Sequence, residues 1–241
     1  MKSWFQRGQV AIVTGGSRGL GKELARELLS HSVHTIIDGR DPTTLRAATE
    51  ELRRLGNVIA IAGDVSDKEH VRALIEAARN LGRLDLLVNN ASTLGAVPLP
   101  RVDQLTQETF RRIFDVNVFG PIHLMQHALP IMQQSGSVGT IVNITSDAGV
   151  EAYPTWGGYG ASKAALEHFS RVLAAELEDS SIRILVADPG DMKTQMHRDA
   201  IPDADESELR DPADSACALL QAIAEMKDPY ERVRLVDLVI A

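Results

Sequence analysis

A chain of 241 residues can form one α/β domain that buries roughly three quarters of the surface its unfolded form exposes, and at 44% hydrophobic but only 4% aromatic its core must be aliphatic. A net charge of −8 with no basic stripe argues against nucleic acid and anionic membrane as partners. The lone Cys217, set among Ala216, Ala218 and Leu219, excludes an internal disulfide and reads as a small buried core residue; no Cys/His cluster has zinc spacing, so no metal is expected, and no run reaches about 18 apolar residues, so a soluble cytoplasmic protein is expected.

In chain order, the apolar run Val10 to Val13 predicts a first strand. It enters Thr14-Gly15-Gly16-Ser17-Arg18-Gly19-Leu20-Gly21, after which Leu24, Ala25, Leu28 and Leu29 recur at helical spacing. His34 to Ile37 is a second strand, Thr43 to Leu55 a helix led by Asp41-Pro42, and Val58 to Ala62 a third strand. Asp67 caps a helix to Leu81, and Leu84 to Val88 is the fourth strand, followed by Asn89-Asn90-Ala91-Ser92. Helices are expected over Gln107 to Ile113 and Asn117 to Gln134, with Pro121 and Pro130 marking bends or first-turn positions. Val138 to Ile144 is the fifth strand; Leu166, Phe169, Leu173 and Leu177 then describe a helix that Tyr159 and Lys163 open. Ile182 to Ala187 is the sixth strand, Asp188 to Pro212 is polar and proline-punctuated, Ala213 to Glu225 is helical, and Val233 to Ile240 makes a last strand. This alternation implies an α/β doubly wound parallel sheet of about seven strands with helices on both faces, in a single domain over residues 1–241.

Gly15, Gly19 and Gly21 are spaced G-x-x-x-G-x-G between a strand and a helix. Positions without side chains let backbone N–H groups and a helix N-terminus approach a pyrophosphate, which assigns Gly15, Ser17, Arg18, Gly19, Leu20 and Gly21 to a dinucleotide. About 20 residues further on, such folds place an acid on the ribose 2′-OH when the cofactor is NAD. Gly39 occupies that place, flanked by Asp38 and Arg40. With Gly39 there, no carboxylate repels a 2′-phosphate, and Arg40 with Arg18 forms a fork around it, so NADP(H) is preferred. A one-residue shift would set Asp38 on the ribose and specify NAD(H). Asp64-Val65 is placed to meet an adenine edge, and Asn90-Ala91 to let a ribose lie close to the backbone. Tyr159 and Lys163 share a helix face at i,i+4; the ammonium favours phenolate and draws the tyrosine pKa from about 10 towards neutrality, where it serves as general acid or base.

Together these residues resemble the short-chain dehydrogenase/reductase family in its single-domain branch. The matching motifs, in the family's order, are TGGSRGLG from Thr14, Asp64-Val65, NNAS from Asn89, Asn117 in DVNVFG, Ser146 in ITSDAG, YGASK from Tyr159, and Pro189-Gly190 running to Thr194. The resemblance implies a Rossmann-type fold and a catalytic set of Asn117, Ser146, Tyr159 and Lys163. Tyr159 would exchange the proton of the reacting oxygen, Ser146 would donate to that oxygen, and Lys163 would tune Tyr159 and bind the nicotinamide ribose. Asn117 would hold a water that links Lys163 to solvent. The resemblance also places Pro189, Gly190, Met192 and Thr194 beside the cofactor and implies a homodimer or homotetramer.

Two places depart from the family pattern: Ser32-Val33 stands for Gly-Ala, and Ser92 for the glycine that ends NNAG. Substrate contacts are expected from Ser146, Asp147, Tyr153, Tyr159 and Met196, with His197 reading as a surface residue. Asp203, Asp205, Glu206 and Glu208 read as a solvated face, and His123 and His127 as a packed or exposed helix. The activity expected is NADP(H)-dependent interconversion of a small-molecule carbonyl and a secondary alcohol. An NAD-dependent alcohol dehydrogenase of the same fold and a non-catalytic NADP(H)-sensing protein are the alternatives.

Overall fold

The computed structural model describes residues 5–134, 136, 138–177 and 180–238. Its strands are β1 (Val10–Val13), β2 (His34–Gly39), β3 (Val58–Ala62), β4 (Leu86–Asn89), β5 (Gly139–Ile144), β6 (Ile182–Asp188) and β7 (Tyr230–Arg234). They pair in parallel as one sheet of seven, in the order β3-β2-β1-β4-β5-β6-β7. The helices are α1 (Gly19–Ser30), α2 (Pro42–Leu52), α3 (Lys68–Asn80), α4 (Gln107–Phe114), α5 (Gly120–Gln134), α6 (Gly157–Glu176), α7 (Gln195–Ala200) and α8 (Pro212–Glu225).

Because successive side chains of a strand point to opposite faces, β1 feeds two cores. Val13 packs with Leu24 and Leu28 of α1 and Leu219 and Ile223 of α8, whereas Ile12 packs with Leu74 of α3, Leu124 of α5 and Leu166 of α6. The central strands β1, β4 and β5 are buried at every residue, as a parallel sheet covered on both sides requires. Several helix starts are set by side-chain caps: Asp41 accepts from the Thr43 and Thr44 N–H groups, Asp67 from that of Glu69, and Asp211 from that of Ala213. The strand order reverses between β1 and β4, and ligand crevices of doubly wound sheets open at such a point, beyond the carboxyl ends of the strands.

Three elements differ from expectation. The last strand is Tyr230–Arg234, not Val233 to Ile240; a 3₁₀ turn over Leu235–Asp237 follows it, and Ile240 lies outside the described residues. As an edge strand it is only partly buried, so charged residues suit it, and the apolar Leu235 plugs the core from the turn instead. Second, α4 does not stop before Asn117 but runs into α5 through a π-helical segment, Asp115–Phe119. Pro121 has no N–H to return to the Asn117 carbonyl four residues back, which favours the widened turn. Third, α7 forms inside the polar stretch, where the Thr194 hydroxyl caps it by accepting from the His197 N–H. Cys217 is half-buried between the fully buried Ala216 and Ala218, not a core residue. Among the described residues there is no metal-ligand cluster and no helix long and apolar enough to cross a membrane.

A partly buried ion pair fixes the strand ends nearest the cleft. Glu167 of α6, 5% exposed, accepts from the Thr145 hydroxyl at 2.6 Å and from two Arg232 nitrogens of β7 at 3.0 and 3.1 Å. Replacing it by alanine leaves the Thr145 hydroxyl and the partly exposed guanidinium without their partner, which costs about 2 kcal/mol. Urea unfolding of Glu167→Ala should therefore show a loss of that order, with Glu167→Gln, which still accepts from Thr145, losing less.

Candidate active site

The ends of β1, β4, β5 and β6 border one cleft of ≈ 730 Å³, well within the range of small-molecule sites. Its first wall is the glycine turn. Gly15, at φ +68, donates its N–H to Asp38 Oδ1 at 2.6 Å, and a Cβ there would sit 2.9 Å from Asn90 Nδ2. Thr14 Oγ1 accepts from the N–H groups of Asn90 and Ala91, both at 3.0 Å, closing the turn onto the end of β4. Ser17, Arg18, Gly19 and Leu20 line the cleft, and no side chain caps the start of α1. Backbone N–H groups at an uncapped helix start, reached across glycines, suit a pyrophosphate, so these residues fit a dinucleotide. Gly21 is the exception: it lies beneath the wall, where a Cβ would come 2.4 Å from the Gly15 carbonyl oxygen, so its role is close packing rather than contact.

Beyond the turn, the charged residues divide into engaged and exposed. Asp38, 2% exposed, spends its second oxygen on His70 Nε2 of α3 at 2.9 Å. At Gly39 a Cβ would stand 2.9 Å from Ser17 Oγ, so the wall closes where a larger residue would protrude. Arg18 and Arg40 are exposed on the cleft and make no ion pair among the described residues. Asp64 and Val65 line the adjoining wall. Burial pushes the Asp64 carboxyl up, but bonds from Arg112 and Ser66 outweigh it and hold it at about 2. Pro189, Gly190, Met192 and Thr194 border the opposite side.

At the deep end, Ser146, Tyr159 and Lys163 come together. Lys163 Nζ donates to the Ile144 carbonyl at 2.9 Å and lies 5.3 Å from the Tyr159 ring centre. Trp156 meets that ring edge-on, and Leu94, Ala148, Met196 and Ala200 pack around it. Ser146 Oγ donates to Asp147 Oδ1 at 2.9 Å. Burial pushes the phenol of Tyr159 above its usual range and brings the Lys163 ammonium down to about 8. Burial, and after it the carboxylates of Asp188, Asp147 and Asp191, raise the phenol despite the lysine beside it, so the Tyr159 pKa lies above rather than below its usual value.

Asn117 is not in the cleft wall. Its Oδ1 accepts from the Thr93 N–H at 2.8 Å and the Ser92 hydroxyl at 3.1 Å, while Nδ2 donates to the Thr93 carbonyl and Ser162 Oγ, both at 3.0 Å. The amide is fully committed to joining the loop after β4 to α6, so it has no side-chain bond left for a water. Among the expected substrate residues, Ser146, Asp147, Tyr159 and Met196 face the cleft. Tyr153 does not; it is 45% exposed and reaches the site only by donating its hydroxyl to Asp147 Oδ2 at 2.8 Å. His197 is no surface residue, since its side chain is 9% exposed and lines the cleft from α7. Sequence reasoning missed Thr93, His70 and Arg112, whose partners are distant in the chain; Thr194, three residues before His197, carried a readable cap pattern.

Residues 9–205 match the family described as short chain dehydrogenase. The chain is 34% identical over 200 residues to the benzil reductase ((S)-benzoin forming) of Saccharomyces cerevisiae, across 80% of this chain and 74% of that one. It is 32% identical over 190 residues to the (S)-acetoin-forming diacetyl reductase of Staphylococcus epidermidis, across 78% and 73%. A short chain dehydrogenase of Shigella flexneri, solved in complex with NADP, aligns with a TM-score of 0.86 at 25% identity over 98% of this chain and 100% of that one.

The buried ammonium has a pH signature. Lys163 releases its proton at about 8 in the folded chain and near ~10.4 when unfolded, so between these values the unfolded chain binds more protons and stability rises with pH. The raised Tyr159 phenol acts in the opposite sense, but only above its own unfolded value of about 10. Urea unfolding near pH ~8 and ~10 should show the native chain gaining about 2 kcal/mol relative to Lys163→Met.

Proposed function

The chain belongs to the short-chain dehydrogenase family and is an oxidoreductase, and from that premise we propose that it uses NADP(H) to interconvert a small uncharged carbonyl and its secondary alcohol. The observation that carries this reading is a single cleft joining the glycine turn to Ser146, Tyr159 and Lys163. A dinucleotide bound there supplies or accepts the hydride. Tyr159 holds the proton that the reduced oxygen needs, and burial keeps it on the phenol at neutral pH. Ser146 Oγ turns from Asp147 to donate to the same oxygen as negative charge develops. Lys163, held by the Ile144 carbonyl, offers its remaining N–H groups to ribose hydroxyls and lowers the cost of the phenolate left behind. The Asn117 amide holds the loop after β4 against α6 and so acts by position.

NADP(H) is favoured over NAD(H) on three grounds. Both oxygens of Asp38 are engaged by Gly15 and His70, Gly39 presents no carboxylate, and Arg18 and Arg40 are exposed at the cleft. Asp147 and Asp191 border the deep end and disfavour an anionic substrate, in accord with relatives named for reducing benzil and diacetyl. One sheet from Val10 to Arg234 supports a single domain. We further propose a homo-oligomer, supported by the exposed Phe110 of α4, Phe119 of the π turn, and Phe169 and Val172 of α6.

Nicotinamide fluorescence with NADPH and NADH tests the cofactor reading. NADPH should bind more tightly, and Arg40→Ala should weaken it by about tenfold or more while sparing NADH, as loss of one charge-assisted contact predicts. Preference for NADH with no effect of Arg40→Ala would overturn it. Turnover of diacetyl should fall at least ~100-fold in Tyr159→Phe, and unchanged turnover would remove the phenol from the chemistry.

A further inference from the structure

Asp188, the last residue of β6, is a buried carboxylate on the cleft that the chemistry above leaves unused. It is 3% exposed. The Thr145 N–H donates to the Ala187 carbonyl at 2.8 Å, so Asp188 stands beside the segment that carries Ser146. Its Oδ1 accepts from the Gly190 N–H at 3.0 Å, and its other oxygen takes no hydrogen bond among the described residues. The turn that follows is fixed from both sides. The Pro189 carbonyl accepts from the Ser215 hydroxyl at 3.3 Å, and Gly190, at φ +72, lies where a Cβ would come 2.5 Å from Val236 Cγ1. A carboxylate held in this way stays at the deep end, where its charge acts on whatever enters.

The other charged and titratable groups that line this end are Lys163 of α6, Asp147 after β5, Asp191 after β6, His197 of α7 and Arg234 of β7. The side chains of Asp191 and Arg234 are mostly exposed, so water screens them. Asp147 already accepts from the Ser146 and Tyr153 hydroxyls. That leaves Lys163 and Asp188 as an enclosed cation and an enclosed anion, which make no ion pair with each other among the described residues. The two oxidation states of a nicotinamide differ by one charge, the ring being neutral when reduced and cationic when oxidised. An enclosed ammonium alone opposes the cation that hydride transfer creates, and an enclosed carboxylate offsets it. Burial raises the Asp188 carboxyl above its ordinary value, against the Gly190 N–H, Arg232 and Arg234; a cation entering the cleft favours the ionised form.

We propose that Asp188 determines which oxidation state of the cofactor the deep end favours: its carboxylate stabilises the cationic, oxidised nicotinamide relative to the reduced one, and so strengthens bound NADPH as a hydride donor. The inference rests on the dinucleotide reading proposed above. Hydride carries two electrons to the carbonyl carbon and leaves one positive charge on the ring, Tyr159 gives its proton to the oxygen, and Asp188 makes and breaks no covalent bond.

Calorimetric titration of the full chain with NADP+ and with NADPH at pH ~7, above the ordinary carboxylate range, tests this. Asp188→Asn and Asp188→Ser both remove the charge and keep an oxygen that can accept from the Gly190 N–H. In each, the ratio of the NADP+ to the NADPH dissociation constant should rise about tenfold, as loss of one enclosed charge near a cation implies. Because both forms fill the same site, a disturbance of the turn weakens both and leaves the ratio alone. Asp191→Asn removes an equal but solvated charge and should change the ratio by less than about twofold. An unchanged ratio in the Asp188 variants would overturn the proposal, and so would an equal change in Asp191→Asn. If the native chain prefers NADH, the cofactor preference falls, and the ratio of NAD+ to NADH decides the role of Asp188 in the same way. If it binds neither dinucleotide, the cofactor reading and this inference fall together.

Discussion

A lysine ammonium at 2% exposure is the constraint on which the deep end of the cleft depends. Burying such a charge is costly unless its surroundings hold partners in fixed places. Lys163 donates to the Ile144 carbonyl, which lies at the last residue of β5, so the strand end must not move. The next residue, Thr145, is held by Glu167, which follows Lys163 by one turn of α6 and is itself held by Arg232 of β7. One helix thus supplies both the buried cation and the carboxylate that fixes the strand receiving it. Ser146 comes directly after this clamped pair, and its hydroxyl donates to Asp147 Oδ1 while accepting from the Ala148 N–H.

The outer end of the cleft is organised by a carboxylate in a comparable way. Asp38 bonds the Gly15 N–H with one oxygen and His70 with the other, so β2, the glycine turn and α3 share one buried junction. A residue with both oxygens spent inside the fold is a poor candidate for ligand recognition, whatever its place in the sequence suggests. Position along the chain puts Asp38 and Arg40 equally near the end of β2; burial separates them, one fully enclosed and the other exposed.

How much of this was legible in the sequence follows from how local each cause is. The central strands, the caps at Asp41 and Asp67 and the order of motifs depend on neighbouring residues, so their pattern could be read directly. β7 depends on what lies beside it: its charged residues are stable in a strand because Arg232 finds Glu167, 65 positions earlier. α7 has six residues and no apolar stripe, so its evidence is a Thr194 cap and the packing of Met196 and Ala200 against Tyr159. The direction of the Tyr159 shift is not legible in the sequence, because proximity to lysine is a sequence feature and depth of burial is not. Asn117 was found but its surroundings were not, since Thr93 and Ser162 become its partners only when the chain folds.

The π-helical segment explains why one asparagine can serve so many partners. In an ordinary α-helix successive residues fall 100° apart, close to regular, and a residue between α4 and α5 would face either the sheet or its neighbouring helix. Widening the turn over Asp115–Phe119 displaces that regular progression, and Gly120, which has no side chain, lets the helix pass where a Cβ would lie 2.9 Å from the Val65 carbonyl. The displaced Asn117 then reaches two segments together, the loop carrying Ser92 and Thr93 and the buried Ser162 of α6. Ser162 lies directly before Lys163, so the amide is coupled to the lysine through one peptide unit. Proline at 121, glycine at 120 and asparagine at 117 are therefore parts of one device, in which a local departure from helical regularity brings the strand-end loop to the helix that carries Tyr159 and Lys163.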